Sequence, residues 1–273
     1  MTRSRHSFLL SGSPAALPLG AAESFVRVSK RDPRYLELDD GSPYIPIELN
    51  LIAPPGRDPD AGLLIYKDWL DKLSPNGGNY VRAWLSNTFW DLEHARSGEY
   101  DPEKARLIDA LLAMARQRKI QVKRTLEHLR SIGGGPQAWA DKPLHNAVNG
   151  GPATSIADFF DGEKSRAQFR QKLAWFAAHF GNRPEVFAWE LWNEVNAVRG
   201  GDYLGWTEAV LAELHRRFPS NLCVQSLGSF DSAGVRPTYQ RHSTMPGNDL
   251  TQVHRYLDLG ASLEFPPIWR TSG

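Results

Sequence analysis

Between Ile45 and Tyr256 short apolar runs alternate with stretches whose apolar residues recur at helical spacing, and this alternation constrains the fold more than any other feature. The runs are Ile45–Leu51, Tyr80–Leu85, Ile120–Leu126, Phe187–Trp192, Cys223–Leu227 and Leu250–Tyr256. Each has the length of a strand, and strands buried on both faces read as near-continuous apolar runs. The helical stretches lie between them. One runs through Tyr66–Leu73 and stops before Pro75-Asn76-Gly77-Gly78. A second starts at Asp101-Pro102, with Asp as cap and Pro in the first turn, and carries Leu107, Ile108, Leu111, Leu112 and Ala115 at helical spacing. Ser165–His179 and Trp206–Phe218 supply two more, with Phe169, Leu173 and Phe176 inward on the first and Val210, Leu211 and Leu214 inward on the second. Strand–helix–strand order with no return to hairpins predicts a parallel sheet with helical crossovers.

A barrel and an open doubly wound sheet both satisfy that order. No Gly-rich phosphate loop follows any strand, whereas polar groups recur where strands end: Asn50, Arg82, His128, Asn193-Glu194 and His254. A ring of functional groups assembled from many strand termini is the property of a (β/α)₈ TIM-type barrel, so the expected fold is α/β of that type. A small β-element precedes it. Phe25–Val28 and Tyr35–Leu38 alternate, and Asp39-Asp40-Gly41 turns the chain into Tyr44–Ile47, which gives two or three short antiparallel strands. The domain division is then 23–43 for this element and 44–273 for the barrel domain. A long loop, Leu129 to about Gly162, carries Trp139; loops of that length in a compact domain are functional or disordered.

Composition excludes several classes of partner. The 32 Lys+Arg against 31 Asp+Glu give no electrostatic case for nucleic acid. Cys223 is the only cysteine, so no intrachain disulfide or multi-Cys metal site can form, and no metal is expected. Residues 1–22 place Arg3 and Arg5 before Phe8-Leu9-Leu10 and end on the small residues Gly20-Ala21-Ala22, the layout of a signal peptide. This apolar stretch is too short to span a bilayer. The expectation is export to the periplasm or medium, with a disordered tail on a cytoplasmic protein as the alternative. The chain has nine tryptophans, several at strand ends or in the long loop. Indole faces suit the C–H faces of sugars as well as protein cores, and Trp90 and Trp139 are the candidate sugar platforms.

The motifs on three strands carry a resemblance. Asn76-Gly77-Gly78-Asn79-Tyr80-Val81-Arg82, Trp189-Glu190-Leu191-Trp192-Asn193-Glu194 and Val253-His254-Arg255-Tyr256 together resemble the clan of retaining glycoside hydrolases on (β/α)₈ barrels that includes cellulases and β-mannanases. The resemblance implies hydrolysis of β-linked polysaccharide or oligosaccharide, of mannan or glucan type, without a cofactor. Glu194 would be the acid/base, with Trp192 desolvating it. Asn193 would bond the sugar 2-hydroxyl, and Arg82 would orient the nucleophile. His128, His254 and Tyr256 would line the subsite where the bond breaks, with Asn50 beside them. Glu127 is a weaker competitor for a catalytic role.

One part of the pattern is missing. Retention needs a second carboxylate roughly 5 Å from the first, which this clan places at the end of strand seven. The chain reaches Gly273 within less than one βα unit of Tyr256, a unit being roughly 30 residues. Glu264 follows no strand-like run. The expected barrel is therefore incomplete, with about six βα units, through truncation, because the chain is a fragment, or by completion through association. Two readings of function follow from the same cleft. One is a glycosidase retaining the acid/base half of its site, and the other is a non-catalytic carbohydrate-binding pseudoenzyme; a non-functional truncated fragment is a third outcome.

Overall fold

The computed structural model describes residues 24–128, 143–198, 200–228 and 236–254. The leader at 1–22, Trp139, Tyr256 and Glu264 lie outside the described residues. The chain opens on three short antiparallel strands, β1 (Val26–Val28), β2 (Leu36–Leu38) and β3 (Pro43–Tyr44). Gly41, at φ 82°, makes the turn between β2 and β3 that the Asp-Gly pair predicts. Val26, Leu38 and Tyr44 pack against Tyr80, Phe187, Ala188, Leu222 and Val224. Three of these five, Tyr80, Phe187 and Leu222, stand at or next to the first residue of a sheet strand, so the small element closes the end of the sheet opposite to the strand C-termini.

The main sheet is parallel, and its order β4-β5-β6-β7-β8-β9 follows the sequence without a crossover. The strands are β4 (Glu48–Leu49), β5 (Tyr80–Trp84), β6 (Gln121–Glu127), β7 (Val186–Trp192), β8 (Leu222–Leu227) and β9 (Thr251–Val253). Strictly sequential order is what a barrel wall requires, whereas a doubly wound sheet reverses direction partway. The wall is curled. Across a flat sheet β6 and β9 would stand about 14 Å apart, yet Lys123 of β6 hydrogen-bonds Gln252 of β9. The open-sheet alternative is thereby excluded, and the described residues form a six-stranded part of a (β/α)₈ barrel.

Helices α1 (Pro59–Leu73), α2 (Pro102–Gln117), α4 (Glu163–Phe180) and α5 (Tyr203–Arg217) cover the outside, as expected from their spacing. Asp58 and Asp101 cap the first two and a proline follows each cap. Two helices were not expected. Within the stretch read as a long loop, α3 (Ile156–Asp161) is capped by Ser155 and buries Phe159 and Phe160. Helix α6 (Arg236–Ser243) has no apolar stripe; it is fastened through buried His242, whose Nε2 lies 2.8 Å from the Gln225 carbonyl. Strand β4 is shorter than the apolar run from Ile45 to Leu51. Pro46 cannot donate to a ladder, and the Asn79 side chain substitutes for it, accepting from Ile47 N at 2.8 Å and donating to Ile45 O at 2.9 Å.

Candidate active site

The C-terminal ends of four strands surround a cleft of about 490 Å³, a size ordinary for small-ligand sites. Glu48, Asn50 and Ile52 come from β4 and the residues after it. Arg82 and Trp84 come from β5, Asn193 and Glu194 follow β7, and Gln252 and His254 come from β9. The period-two rule explains three of the sets, since residues two apart on a strand share a face; Asn193 and Glu194 are consecutive and reach the cleft where the chain leaves β7, Glu194 at a positive φ. Asn50, Arg82, Asn193, Glu194 and His254, all expected at the site from sequence, are thus brought together.

Beneath the cleft lies a buried charge cluster. Glu190 is fully buried and grips Arg82 with both oxygens, Arg82 Nε at 2.8 Å and Nη2 at 2.6 Å. Thr125 Oγ1 donates to the same carboxylate at 2.6 Å, and Lys123 Nζ stands 3.6 Å away. Burial alone would raise the Glu190 pKa. The Lys123 ammonium and Arg82 guanidinium, with hydroxyl bonds from Ser226 and Thr125, outweigh it and hold the carboxyl down to about 2. Burial acts the other way on Lys123 and brings its ammonium down to about 8, against the pull of Glu190.

Arg82 also donates to Asn193 Oδ1 at 2.8 Å, so the charge cluster fixes which face the amide presents to the cleft. Sequence reasoning assigned Arg82 to a nucleophile; the carboxylate it holds here is Glu190. The Asn193 N–H donates to Glu127 O at 2.8 Å and the Glu194 N–H to Ser226 Oγ at 3.1 Å, which ties the strand end to both neighbours. Glu194 sits at φ 54°, ψ 57°, in the left-handed region. A non-glycine residue held there costs about 1–2 kcal/mol, and such strain gathers at functional sites. Its Oε1 lies 2.8 Å from His254 Nδ1.

Other expected residues fall elsewhere. His128 is buried beside the cleft, with Nδ1 2.5 Å from Ser86 Oγ and its ring 5.4 Å from that of Trp84. Trp90 is not a sugar platform. It is fully buried, donates to Ile52 O at 3.1 Å and meets Tyr66 and Phe89 edge to face, because its loop folds back over the top of α1. Nor does Trp192 cover Glu194; it packs among Phe159, Phe160 and Trp206 on the helical side. Glu127 is a buried ion-pair residue. Lys172 bridges it to Glu93, the second contact being 2.8 Å, and the Lys172 ammonium with His145 keeps the Glu127 carboxyl well below its usual range despite burial. Tyr256 and Trp139 lie outside the described residues.

Two groups of ligand-type side chains converge, Glu93–Glu127–His145 and His215–Cys223–Asp249. None of these residues lines the cleft. In the first group the Lys172 ammonium already contacts both carboxylates.

Sequence reasoning missed Trp84 as a wall of the cleft, Gln252 and Glu48 as polar groups in it, and the Glu190–Lys123 pair below it. A signal was present for each. Trp84, Gln252 and Glu48 lie two residues from Arg82, His254 and Asn50, and Glu190 and Lys123 are charges in strands that are buried along their whole length.

No family model and no curated protein matches the sequence. Solved structures do resemble the fold. The endo-1,4-β-mannanase of Rhizomucor miehei superposes with TM-score 0.59 at 17% identity, over 85% of this chain and 72% of that one. The β-1,4-D-mannanase of Cryptopygus antarcticus gives 0.55 at 15%, over 85% and 71%. The exo-β-1,4-mannosidase Op5Man5 of an Opitutaceae bacterium gives 0.54 at 16%, over 87% of this chain but only 41% of its own length. At such identities the likeness shows the fold, a (β/α)₈ barrel of the kind these glycosidases have.

Proposed function

We propose that the cleft binds a β-linked saccharide, of mannan or glucan type, and that Glu194 serves there as the acid/base of glycoside hydrolysis with retention. One observation carries the reading: Glu194, Asn193, His254 and Trp84, from three separate strands, line a single cleft at the strand C-termini. A carboxyl group beside the glycosidic oxygen can protonate the leaving group and later take a proton from water. Asn193, its carbonyl held by Arg82, is left with an amide N–H₂ to offer a sugar hydroxyl. The Trp84 indole, lining the same cleft, offers an apolar face for sugar C–H groups. Two of the solved structures named above are mannanases and the third is an exo-β-1,4-mannosidase, which favours mannan over glucan as the first substrate to try.

Retention also needs a nucleophilic carboxylate roughly 5 Å from Glu194. Glu190 does not fill that role, because its oxygens are committed to Arg82 and Thr125 in the interior. A second reading therefore stands beside the first, a carbohydrate-binding protein without turnover, favoured by the use of Arg82 on Glu190. Hydrolysis of an aryl β-mannoside separates them. Turnover that Glu194→Gln lowers roughly 10²–10⁴-fold supports the enzyme. Saccharide binding with no turnover supports the binder, and neither binding nor turnover refutes both. Export is the expected location, tested by whether the N-terminal 22-residue leader is removed from protein recovered outside the cytoplasm.

A further inference from the structure

A hydrogen-bonded chain runs from the buried charge cluster up to Glu194, and its direction can be read from donors and acceptors alone. Lys123 carries only N–H donors, so the side-chain atom of Gln252 that faces it must be the carbonyl, and Lys123 Nζ does bond Gln252 Oε1. That leaves the Gln252 N–H₂ to face His254, and Gln252 Nε2 lies 2.8 Å from His254 Nε2. An amide N–H₂ can only donate. His254 Nε2 must then be the bare, accepting nitrogen, the ring proton must sit on Nδ1, and Nδ1 donates to Glu194 Oε1 at 2.8 Å.

From this chain we infer that Gln252, held by Lys123, is a positioning residue that fixes His254 as the Nδ1–H tautomer and so keeps the proton of Glu194 off Oε1. The inference rests on the reading of Glu194 as acid/base. With Nδ1–H pointing at Oε1, a protonated Glu194 carries its hydrogen on Oε2. The opposite tautomer would present a bare Nδ1 to Oε1, and the acid proton would be drawn into a Glu194–His254 bond instead of being offered to a glycosidic oxygen. Free histidine favours the Nε2–H form, so the arrangement here must be imposed. Lys123 is itself held by Glu190, and Arg82 and Glu48 are the other charges that bear on it. The same cluster thus orients Asn193 through Arg82 and Glu194 through Lys123.

The test is the two-bond ¹H–¹⁵N spectrum of the ¹⁵N-labelled full chain at about pH 7.5, above the ordinary imidazole range. The His254 signals are those that His254→Gln removes. A pyridine-like Nε2 and a pyrrole-like Nδ1 in the wild type, with Gln252→Glu placing a proton on Nε2 while Nδ1 keeps its own toward Glu194, is the expected result, because a carboxylate can only accept. A wild-type ring protonated on Nε2, or an Nε2 that stays pyridine-like in Gln252→Glu, overturns the inference. Lys123→Met is expected to give a mixture of tautomers as the Gln252 amide becomes free to turn. That variant strands buried Glu190 and can fail to fold, in which case the Gln252→Glu spectrum decides alone. No saccharide enters the measurement, so an absence of hydrolysis would refute the acid/base reading and leave the tautomer result standing.

Discussion

At the scale of single residues, the site depends on a carboxylate that never reaches the cleft. Glu190 is buried with Arg82, Lys123 and Thr125 as partners. Removing one member of such a set leaves uncompensated charge, so Glu190→Gln is expected to lose about 3–5 kcal/mol of stability in urea unfolding. A loss below about 1 kcal/mol would match an exposed pair instead. The same group sets an acid limit. Its folded pKa is about 2 against an ordinary 4.5, so the unfolded chain binds more protons between those values. The contribution of Glu190 to stability is complete above about pH 4.5 and is lost as pH falls toward about 2. Glu190→Gln should flatten the urea midpoint against pH across that window, and an unchanged slope would contradict the assignment.

At the scale of elements, close packing overrides local preference in α1. Alanine is a better helix former than glycine by about 1 kcal/mol. At Gly62, however, an added Cβ would stand 2.0 Å from Phe89 Cε2, and Phe89 is buried and cannot swing aside. Gly62→Ala is expected to destabilise by about 1–3 kcal/mol, seen as a lower thermal midpoint; a higher midpoint would show that the Phe89 loop yields. Strands and capped helices were legible because each leaves a local mark, as Asp101-Pro102 does for α2 and Phe187–Trp192 for β7. Helix α6 left none, since Arg236–Ser243 has no apolar spacing and is held by His242 through a tertiary bond. Of the site, the polar residues at strand ends were legible. The choice between Trp84 and Trp90 was not, because it depends on how the loop after β5 folds back. Glu190 and Lys123 were not legible either, because only the pairing of β6 with β7 makes them diagonal neighbours on one face.

At the scale of the whole molecule, the curl converts four separate strand ends into one environment. The antiparallel element closes the opposite end through Val26, Leu38 and Tyr44, so its loss should loosen the barrel floor as well as its own strands. Tyr44→Ala is expected to cost about 3–5 kcal/mol as an aromatic core truncation, in a single cooperative urea transition. Two transitions would show that the element unfolds separately. Among the described residues β4 and β9 bound the sheet, and Ile45, Ile47 and Leu49 are exposed along the β4 side. The cleft lies between those two strands, walled by both. Its occupant is the central claim, and calorimetric titration of the full chain with a β-1,4-linked manno-oligosaccharide, then a gluco-oligosaccharide, tests it most directly. Saturable binding of one of them, weakened about tenfold by Trp84→Ala and again by Asn193→Ala, is the predicted result. Binding of neither saccharide, or an affinity that both substitutions leave unchanged, would contradict the account.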